Sequence, residues 1–263
     1  MNQEKQIYAA PVVVTDLNEC LFYHEMDLPG YGHICQDTTQ WDLRGREREY
    51  LGHVEFSGKR TLDVGTASGY LSFFVESQGA DVISHDLSEQ QQGQDIVPYQ
   101  RLGSKNLEEV RSGYKSVARK LNNAYWLAHR ALNSRARLVH STVYSLPDDI
   151  GFVDIAIIGC VLLHVRDPFL ALQSILRLTR ETAIVTDLAS TPEPKGPCMR
   201  FLQPTPGDVW TWWQLSPEVV QKFLTVLGFE ETRVSYHSQR RSSRENHQEV
   251  RHFTVVGRRT CGL

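Results

Sequence analysis

The stretch from residue 59 to residue 88, KRTLDVGTASGYLSFFVESQGADVISHDLS, constrains the fold of this chain more than any other. It predicts a short strand over 61–64, a turn of small residues over 65–69, a helix over 70–78 and a second strand over 82–85. A strand, a glycine turn, a helix and a parallel strand in this order form the first βαβ unit of a doubly wound sheet.

The turn and the end of the second strand together predict half of a nucleotide site. Small residues let a ligand approach the backbone, and the free N–H groups at a helix start favour polar and anionic groups. Asp86 ends the second strand, where its carboxylate can accept both hydroxyls of a ribose. The dinucleotide fingerprint needs a third glycine for close packing of helix on strand, and Tyr70 occupies that position. The turn therefore favours another nucleotide-like cofactor.

The motif LDVGTASGY, followed by Asp86 at the next strand end, resembles the first motif of class I S-adenosylmethionine (SAM) methyltransferases. The resemblance covers about residues 55–258 and implies SAM as the cofactor, with no metal. It implies that cofactor-binding residues lie in the motif and at the neighbouring strand ends. These are Asp63, Gly65, Thr66, Ala67, Gly69, Asp86, Leu87, Thr142, Val143, Gly159 and Cys160.

The order of the elements predicts an α/β fold with a doubly wound, seven-stranded and mainly parallel sheet. Like the class I methyltransferases, the chain is expected to insert its last strand antiparallel. Further strands are predicted over 137–142, 152–159, 182–186, 231–237 and 250–258, the last two as a hairpin joined by a charged loop.

The sequence predicts two parts, an N-terminal cap over 1–55 and a SAM-binding domain over 56–263. Residues 93–136, between the second and third strands, are predicted as an insertion that ends in a helix. On that helix His129 shares a face with two aromatic residues. It is a candidate catalytic residue, with a packed, hydrogen-bonded histidine as the alternative.

The N-terminal cap contains candidate residues for both the cofactor and the acceptor. Arg44 could bind the carboxylate of the methionine part of SAM, and Trp41 could pack on the sulfonium or on the acceptor. Tyr23 and His24 are candidates for acceptor binding. The alternative is that Trp41 only packs and that Arg44 pairs with nearby acids on a solvated turn.

The ends of the third and fourth strands are expected to face the ligands, because ligands bind beyond the carboxyl ends of parallel strands. The resemblance implies that Thr142 and Val143 contact adenine, although the family usually has an acid at the first position. After the fourth strand, His164 is the main candidate for a general base, since a neutral imidazole can take a proton from a hydroxyl. An orienting or packing role is the alternative.

A proline- and glycine-rich loop over 189–209 precedes the last predicted helix, together with a cluster of tryptophans. Three tryptophans in four positions exceed an ordinary packing need, so at least one is expected to line the acceptor pocket. The candidates for acceptor binding here are Arg200, Trp212 and Trp213.

Composition limits the remaining function classes. The 263-residue chain is long enough for one α/β domain with appendages, and its net charge of −3 gives no overall attraction to nucleic acid or anionic membranes. No apolar run reaches the roughly 18 residues of a membrane span. The five cysteines form no C-x-x-C pair, which predicts reduced thiols and a cytoplasmic protein. The oligomeric state stays open.

Within the class, several segments look similar to the tRNA wobble-uridine carboxymethyltransferase, which uses carboxy-SAM. That family has a tyrosine where this chain has Leu163, so the sequence favours ordinary SAM. We therefore expect methyl transfer to an oxygen atom of a small-molecule acceptor, as in natural-product pathways. A tRNA-modifying enzyme is one alternative, favoured if Arg240, Arg241 and Arg244 form a basic face. A non-catalytic SAM-binding partner is another.

Overall fold

The computed structural model describes residues 7–36, 40–91, 107–202, 210–242 and 247–262. The strands in these parts are β1 Met26–Leu28, β2 Gly32–Ile34, β3 Gln40–Asp42, β4 Arg60–Val64, β5 Asp81–Asp86, β6 Arg137–His140, β7 Val153–Gly159, β8 Thr179–Leu188, β9 Met199–Phe201, β10 Trp213–Leu215, β11 Glu231–Ser242 and β12 His247–Arg258. The helices are α1 Glu47–Tyr50, α2 Tyr70–Ser77, α3 Leu107–Ala131, α4 Pro168–Leu176 and α5 Pro217–Val226. Short 3₁₀ helices cover Leu17–Glu19, Asp148–Ile150 and Leu162–His164.

Eight strands form the central sheet in the order β3-β11-β12-β8-β7-β4-β5-β6. Strands β4 to β8 are parallel to one another, and β12 lies antiparallel between β8 and β11. The predicted doubly wound, mainly parallel sheet with an antiparallel last strand is confirmed. The predicted count of seven strands is wrong, because β3 from the N-terminal segment pairs with the end of β11 and adds an eighth.

Strand β7 shows how the sheet separates two hydrophobic cores. Its side chains alternate, so that Ile155 and Ile157 join one buried cluster while Ala156 and Ile158 join the other. The first cluster lies under α2 and α3, and the second lies under α4 and α5. A strand buried on both faces needs a continuous apolar run, which is why this segment reads FVDIAIIG.

The crossover from β5 to β6 passes through α3, a single helix of 25 residues. The predicted aromatic face is buried, with Tyr125 at 0% and Trp126 at 5% exposure. The helix ends at Ala131. Most of the polar start of the predicted insertion, residues 93–106, lies outside the described residues. Among the described helices, none combines the length and the apolar character that a membrane crossing requires.

The C-terminal hairpin is longer than the sequence predicted. Twelve register pairs join β11 and β12, from Glu231 opposite Arg258 to Ser242 opposite His247. Most of the charged segment 238–249, expected as a loop, is therefore strand. The segment is extended because β3 pairs with Arg240–Ser242 and supplies backbone hydrogen bonds on the other edge of β11.

A chain of buried hydroxyl groups fixes the glycine turn to the sheet. The Tyr125 hydroxyl donates to Ser84 Oγ at 3.0 Å, and the hydroxyls of Ser84 and Ser72 lie 2.7 Å apart. Ser72 in turn donates to Asp63 Oδ2 at 2.7 Å and contacts the Thr66 hydroxyl at 2.9 Å. Burial raises the pKa of Asp63 to about 6, and the hydroxyl donors act against that rise.

Candidate functional site

The turn between β4 and α2 has the open backbone that its sequence predicts. Gly65, Ala67 and Gly69 all have positive φ angles, of 76°, 51° and 89°. A Cβ at Gly65 would lie 2.6 Å from the Val161 side chain, and one at Gly69 would lie 2.3 Å from the Phe73 ring. Both glycines are therefore required by conformation and by space.

Asp86 connects this turn to the end of β5. Its Oδ2 accepts a hydrogen bond from Ala67 N–H at 2.7 Å, and its Oδ1 accepts one from Leu87 N–H at 2.7 Å. Burial raises the pKa of Asp86, while these two backbone donors lower it. Each carboxylate oxygen keeps acceptor capacity beyond one hydrogen bond, so the group can still bind donors from a ligand.

A cleft of about 440 Å³, open to solvent, lies beside the turn at the carboxyl edge of the sheet. It brings together eight residues predicted from the sequence, namely Tyr23, His24, Trp41, Asp63, Gly65, Thr66, Gly159 and Cys160. Sequence reasoning missed four further lining residues, Leu43, Tyr50, Leu71 and His252.

The cap forms one wall of the cleft with neutral aromatic groups. The indole N–H of Trp41 donates to the Tyr23 hydroxyl at 3.2 Å, and the Trp41 ring lies 5.1 Å from the His252 ring, edge to face. Desolvation of its hydroxyl raises the pKa of Tyr23 to about 12, although the residue as a whole is 38% exposed, and burial lowers the pKa of His24 to about 3. Both side chains are therefore uncharged near neutral pH.

Arg44 is held by carboxylates of the cap and does not line the cleft. Its guanidinium lies 2.8 Å from Asp42, 3.0 Å from Asp27 and 3.1 Å from Glu25. These acids compete for the guanidinium with any carboxylate of a ligand. The predicted role of Arg44 in binding the methionine carboxylate stays a prediction.

The end of β7 closes the cleft opposite the cap. Gly159 allows a close approach of Tyr50, whose hydroxyl would lie 2.7 Å from a Cβ at this position. Cys160 follows with a φ of 51°, and the Tyr50 hydroxyl donates to its sulfur at 3.6 Å. Burial raises the pKa of the Cys160 thiol far above its ordinary value, so the sulfur is protonated.

Thr142 and Val143, the predicted adenine contacts, follow β6 at the same edge of the sheet as Asp86. The backbone N–H of Ser141, one residue earlier, donates to the Asp86 carbonyl at 3.3 Å. Thr142 is half-buried and Val143 is 7% exposed. This segment therefore lies beside the strand end that carries Asp86, although it does not line the described cleft.

His164 ends the 3₁₀ helix after β7, and the tryptophan segment packs against it. Its Nδ1 lies 3.1 Å from the Trp210 carbonyl oxygen. Since a carbonyl only accepts, Nδ1 carries the proton, and Nε2 is the basic nitrogen of the neutral ring. The Trp212 N–H donates to the Leu163 carbonyl at 2.8 Å, and the Trp213 indole donates to the Val165 carbonyl at 3.0 Å. None of the three predicted site residues, His164, Trp212 and Trp213, lines the described cleft.

The remaining candidates lie farther from the cleft. Arg200 is an exposed residue of β9 and pairs with Gln214 across the β9–β10 ladder. His129 lies at the amino edge of the sheet, where its Nε2 is 3.0 Å from the carbonyl oxygen of Ala136, just before β6. It also packs against the rings of Phe73, Tyr125 and Trp126. His129 thus has the surroundings of the packed histidine that the sequence left as an alternative.

A buried carboxylate near the end of β8 was not anticipated. Asp187 is 3% exposed, its Oδ1 accepts from Leu188 N–H at 2.7 Å, and its Oδ2 has no hydrogen-bond partner among the described residues. Burial raises its pKa to about 7, and the backbone donors Leu188 and Leu163 act against that rise. The sequence signal was only an acid inside the apolar fifth strand end, VTDLA.

The pKa of Asp187 makes a prediction for stability. Because its native pKa lies above that of the unfolded chain, the native state binds the extra proton, and stability falls as pH rises from about 4 through about 7. Asp187→Asn should remove this contribution, which amounts to at most about 4 kcal/mol at about 1.4 kcal/mol per pKa unit. Urea unfolding of both proteins between about pH 5 and 8 measures it.

The exposed Asp149→Asn variant is the control, since it changes the same functional group at the surface. As pH rises, we expect the free energy of unfolding of Asp187→Asn to increase relative to that of the parent. Parallel curves for the two proteins would contradict the assignment.

No family model matches the chain, and no curated protein matches its sequence. Solved structures do match. A candidate RNA methyltransferase from Pyrococcus horikoshii is similar with a TM-score of 0.52 and 14% identity, over 82% of this chain and 83% of that one. The 1,6-didemethyltoxoflavin N1-methyltransferase of Burkholderia thailandensis is similar with a TM-score of 0.49 and 15% identity, over 83% of this chain and 78% of that one. The magnesium protoporphyrin IX methyltransferase of Synechocystis is similar with a TM-score of 0.48 and 15% identity, over 81% of this chain and 80% of that one.

At this level of identity, similarity concerns the fold. The similarity to the Pyrococcus horikoshii structure and the strand order of the central sheet agree with the fold that the LDVGTASGY motif predicts. The chain therefore has the fold of the class I SAM-dependent methyltransferases.

Proposed function

We propose that the protein is a SAM-dependent methyltransferase that acts on a small organic acceptor, with oxygen as the atom that is methylated. The observation that carries the proposal is the pairing of a glycine turn with Asp86, whose carboxylate is bonded to Ala67 N–H of that turn at 2.7 Å. The two features meet beside a cleft at the carboxyl edge of the sheet, where doubly wound folds bind their ligands.

The residues present fit SAM. Gly65 and Gly69 allow the positive φ angles of the turn, and Asp86 offers a carboxylate to ribose hydroxyls. We assign cofactor binding to the turn, to Asp86 and Leu87, and to Gly159 and Cys160. Thr142 and Val143 remain proposed adenine contacts. Because Arg44 is paired with three carboxylates, we assign it to the cap.

The charge of the cleft supports an uncharged acceptor. No Lys or Arg occurs among the described residues that line it, and aromatic side chains form its cap wall. Nucleic acid binding needs cations that contact phosphates. Of the three arginines that would favour RNA, Arg240 pairs with Asp42 at 3.0 Å, Arg241 lies over the Trp41 ring at 5.8 Å, and Arg244 lies outside the described residues. These contacts favour the small-molecule reading.

SAM supplies a methyl group on a sulfonium, and the protein must align the acceptor and remove its proton. We propose His164 as the base. Its Nδ1 proton is held by the Trp210 carbonyl, so Nε2 can receive the acceptor proton. Tyr23, His24, Trp41 and Trp212 are proposed to position the acceptor, and exclusion of water by these rings would shield the site.

Replacement of Asp86 tests the cofactor site. Asp86→Ala should weaken binding of SAM and of S-adenosylhomocysteine by about 2–4 kcal/mol, or roughly 30- to 1,000-fold, because charge-assisted hydrogen bonds to ribose are lost. Isothermal titration calorimetry measures it. The matched control is Asp81→Ala, at the start of the same strand, where the carboxylate pairs with Arg137 on the surface. Equal affinities in all three folded proteins would refute the ribose assignment.

Label transfer tests the class of acceptor. Protein incubated with methyl-labelled SAM and a mixture of metabolite extract and bulk tRNA should place the label in small molecules that extract away from RNA. Base treatment should release the label only if an ester was formed, which distinguishes a carboxylate from a hydroxyl acceptor. Label that stays with full-length tRNA would bring the RNA-modifying alternative forward.

His164→Ala tests the proposed base with the acceptor found in that way. Removal of a general base should lower kcat by about 10²–10⁴-fold with cofactor affinity nearly unchanged, and should abolish the acid limb of the pH–rate profile. His129→Ala, at the opposite edge of the sheet, should keep that limb. A His164→Ala enzyme with full activity and an unchanged limb would remove His164 from the mechanism.

A further inference from the structure

The hairpin of β1 and β2 in the N-terminal cap has two chemically different faces. Met26 pairs with Ile34, and Asp27 pairs with His33. Since side chains alternate along a strand, the apolar residues Met26, Leu28 and Ile34 share one face, and all three are buried. Asp27 and His33 share the opposite face, away from the core.

Glu25 and Cys35 extend that polar face by one position at the open end of the hairpin. The Glu25 Oε2 atom lies 3.2 Å from His33 Nε2, and the Cys35 sulfur lies 3.7 Å from Glu25 Oε1. The three side chains present one oxygen, one nitrogen and one sulfur, all within 4.8 Å of one another. Their convergence follows from the strand register.

We propose that Glu25, His33 and Cys35 form a zinc site. A carboxylate, an imidazole and a thiolate are the three ligand types that Zn²⁺ takes in proteins, and a tetrahedral ion would complete its coordination with water. The oxygen–nitrogen and oxygen–sulfur separations are close to those between ligands on one small ion. The spacing of these residues along the chain resembles no common zinc motif, so sequence reasoning predicted no metal.

The surroundings of His33 have the form expected for a zinc ligand. Its second nitrogen, Nδ1, lies 3.0 Å from Asp27 Oδ1, and metal-bound histidines usually donate their other N–H to such a carboxylate. Arg44 Nη1 lies 2.9 Å from the same nitrogen. With zinc on Nε2, Nδ1 carries the proton and cannot accept from Arg44, so that contact must lengthen while Arg44 keeps its bonds to Asp27 and to Glu25.

The charges of the cluster are balanced by a dication. Three carboxylates, of Glu25, Asp27 and Asp42, face two guanidinium groups, of Arg44 and Arg240, which leaves one negative charge. Zn²⁺ together with a Cys35 thiolate adds one positive charge and brings the group to neutrality. Since Glu25 is only 4% exposed, compensation of its charge matters for stability.

The site would brace the wall of the cleft. Glu25 directly follows the lining residues Tyr23 and His24, and its N–H donates to the Trp41 carbonyl at 2.9 Å. Trp41 N–H donates to the Tyr23 carbonyl at 3.1 Å. The same short ladder of backbone hydrogen bonds therefore joins the zinc ligand Glu25 to residues that line the cleft. Zinc binding by the cap does not depend on the proposed methyl transfer.

Metal content and cobalt spectroscopy test the proposal. Full-length protein is stripped with a chelator, kept in a reductant that does not bind metals, incubated with Zn²⁺ or Co²⁺ and desalted. We expect one equivalent of zinc by mass spectrometry and a thiolate-to-cobalt charge-transfer band. Cys35→Ser and His33→Ala should lose both, and Asp27→Asn should weaken zinc binding by about 10–100-fold. The control is Cys198→Ser, a half-buried thiol outside the cap that should keep both.

Two outcomes would overturn the proposal. One is parent protein that retains no zinc and gives no charge-transfer band after loading. The other is equal zinc retention in Cys35→Ser and Cys198→Ser. Far-UV circular dichroism confirms that each variant is folded. Calorimetry with S-adenosylhomocysteine on the same samples reports on the cofactor site separately, so failure of one proposal is distinguishable from failure of the other.

Discussion

The hydrogen bond from Ala67 N–H to the Asp86 carboxylate is the contact on which the site depends. Ala67 has a φ of 51°, a left-handed conformation that costs a non-glycine residue roughly 1–2 kcal/mol. The 2.7 Å bond to Asp86 offsets part of that cost and holds the turn against the neighbouring strand. The carboxylate proposed to bind ribose therefore also sets the backbone that would contact the rest of the cofactor.

The cap depends on a different kind of contact, pairing between distant segments. Strand β3 joins the edge of the central sheet through Arg240–Ser242 of β11, about 200 residues later in the chain. Its outer residues Gln40 and Asp42 are buried, and Gln40 donates to the Phe22 carbonyl at 3.0 Å. This pairing brings Trp41 next to His252 and so completes the cleft from two ends of the sequence.

The sequence predicted those features that depend on local pattern. The βαβ unit, the buried run of β7 and the final hairpin follow from side-chain period and glycine placement, and all are present. Long-range pairing has no local signature, so β3 was missed as a sheet strand, and Tyr50 and His252 were missed as lining residues. The proposed zinc ligands were missed for the same reason, because only the pairing of β1 with β2 brings Glu25 near Cys35. Asp187 was missed because a single acid at a strand end does not reveal its burial.

Burial also limits which groups near the cleft can take a proton. It raises the pKa of Tyr23 to about 12, raises the pKa of the Tyr50 hydroxyl and the Cys160 thiol further, and raises the pKa of Asp187 to about 7. The phenols and the thiol are already protonated at neutral pH, so they can donate hydrogen bonds but cannot act as bases. Among the described groups at the ends of β7 and β8, an imidazole and the Asp187 carboxylate remain. Between them the local contacts favour His164, because the Trp210 carbonyl already fixes the tautomer that a base requires, whereas Asp187 Oδ1 already accepts a hydrogen bond from Leu188 N–H.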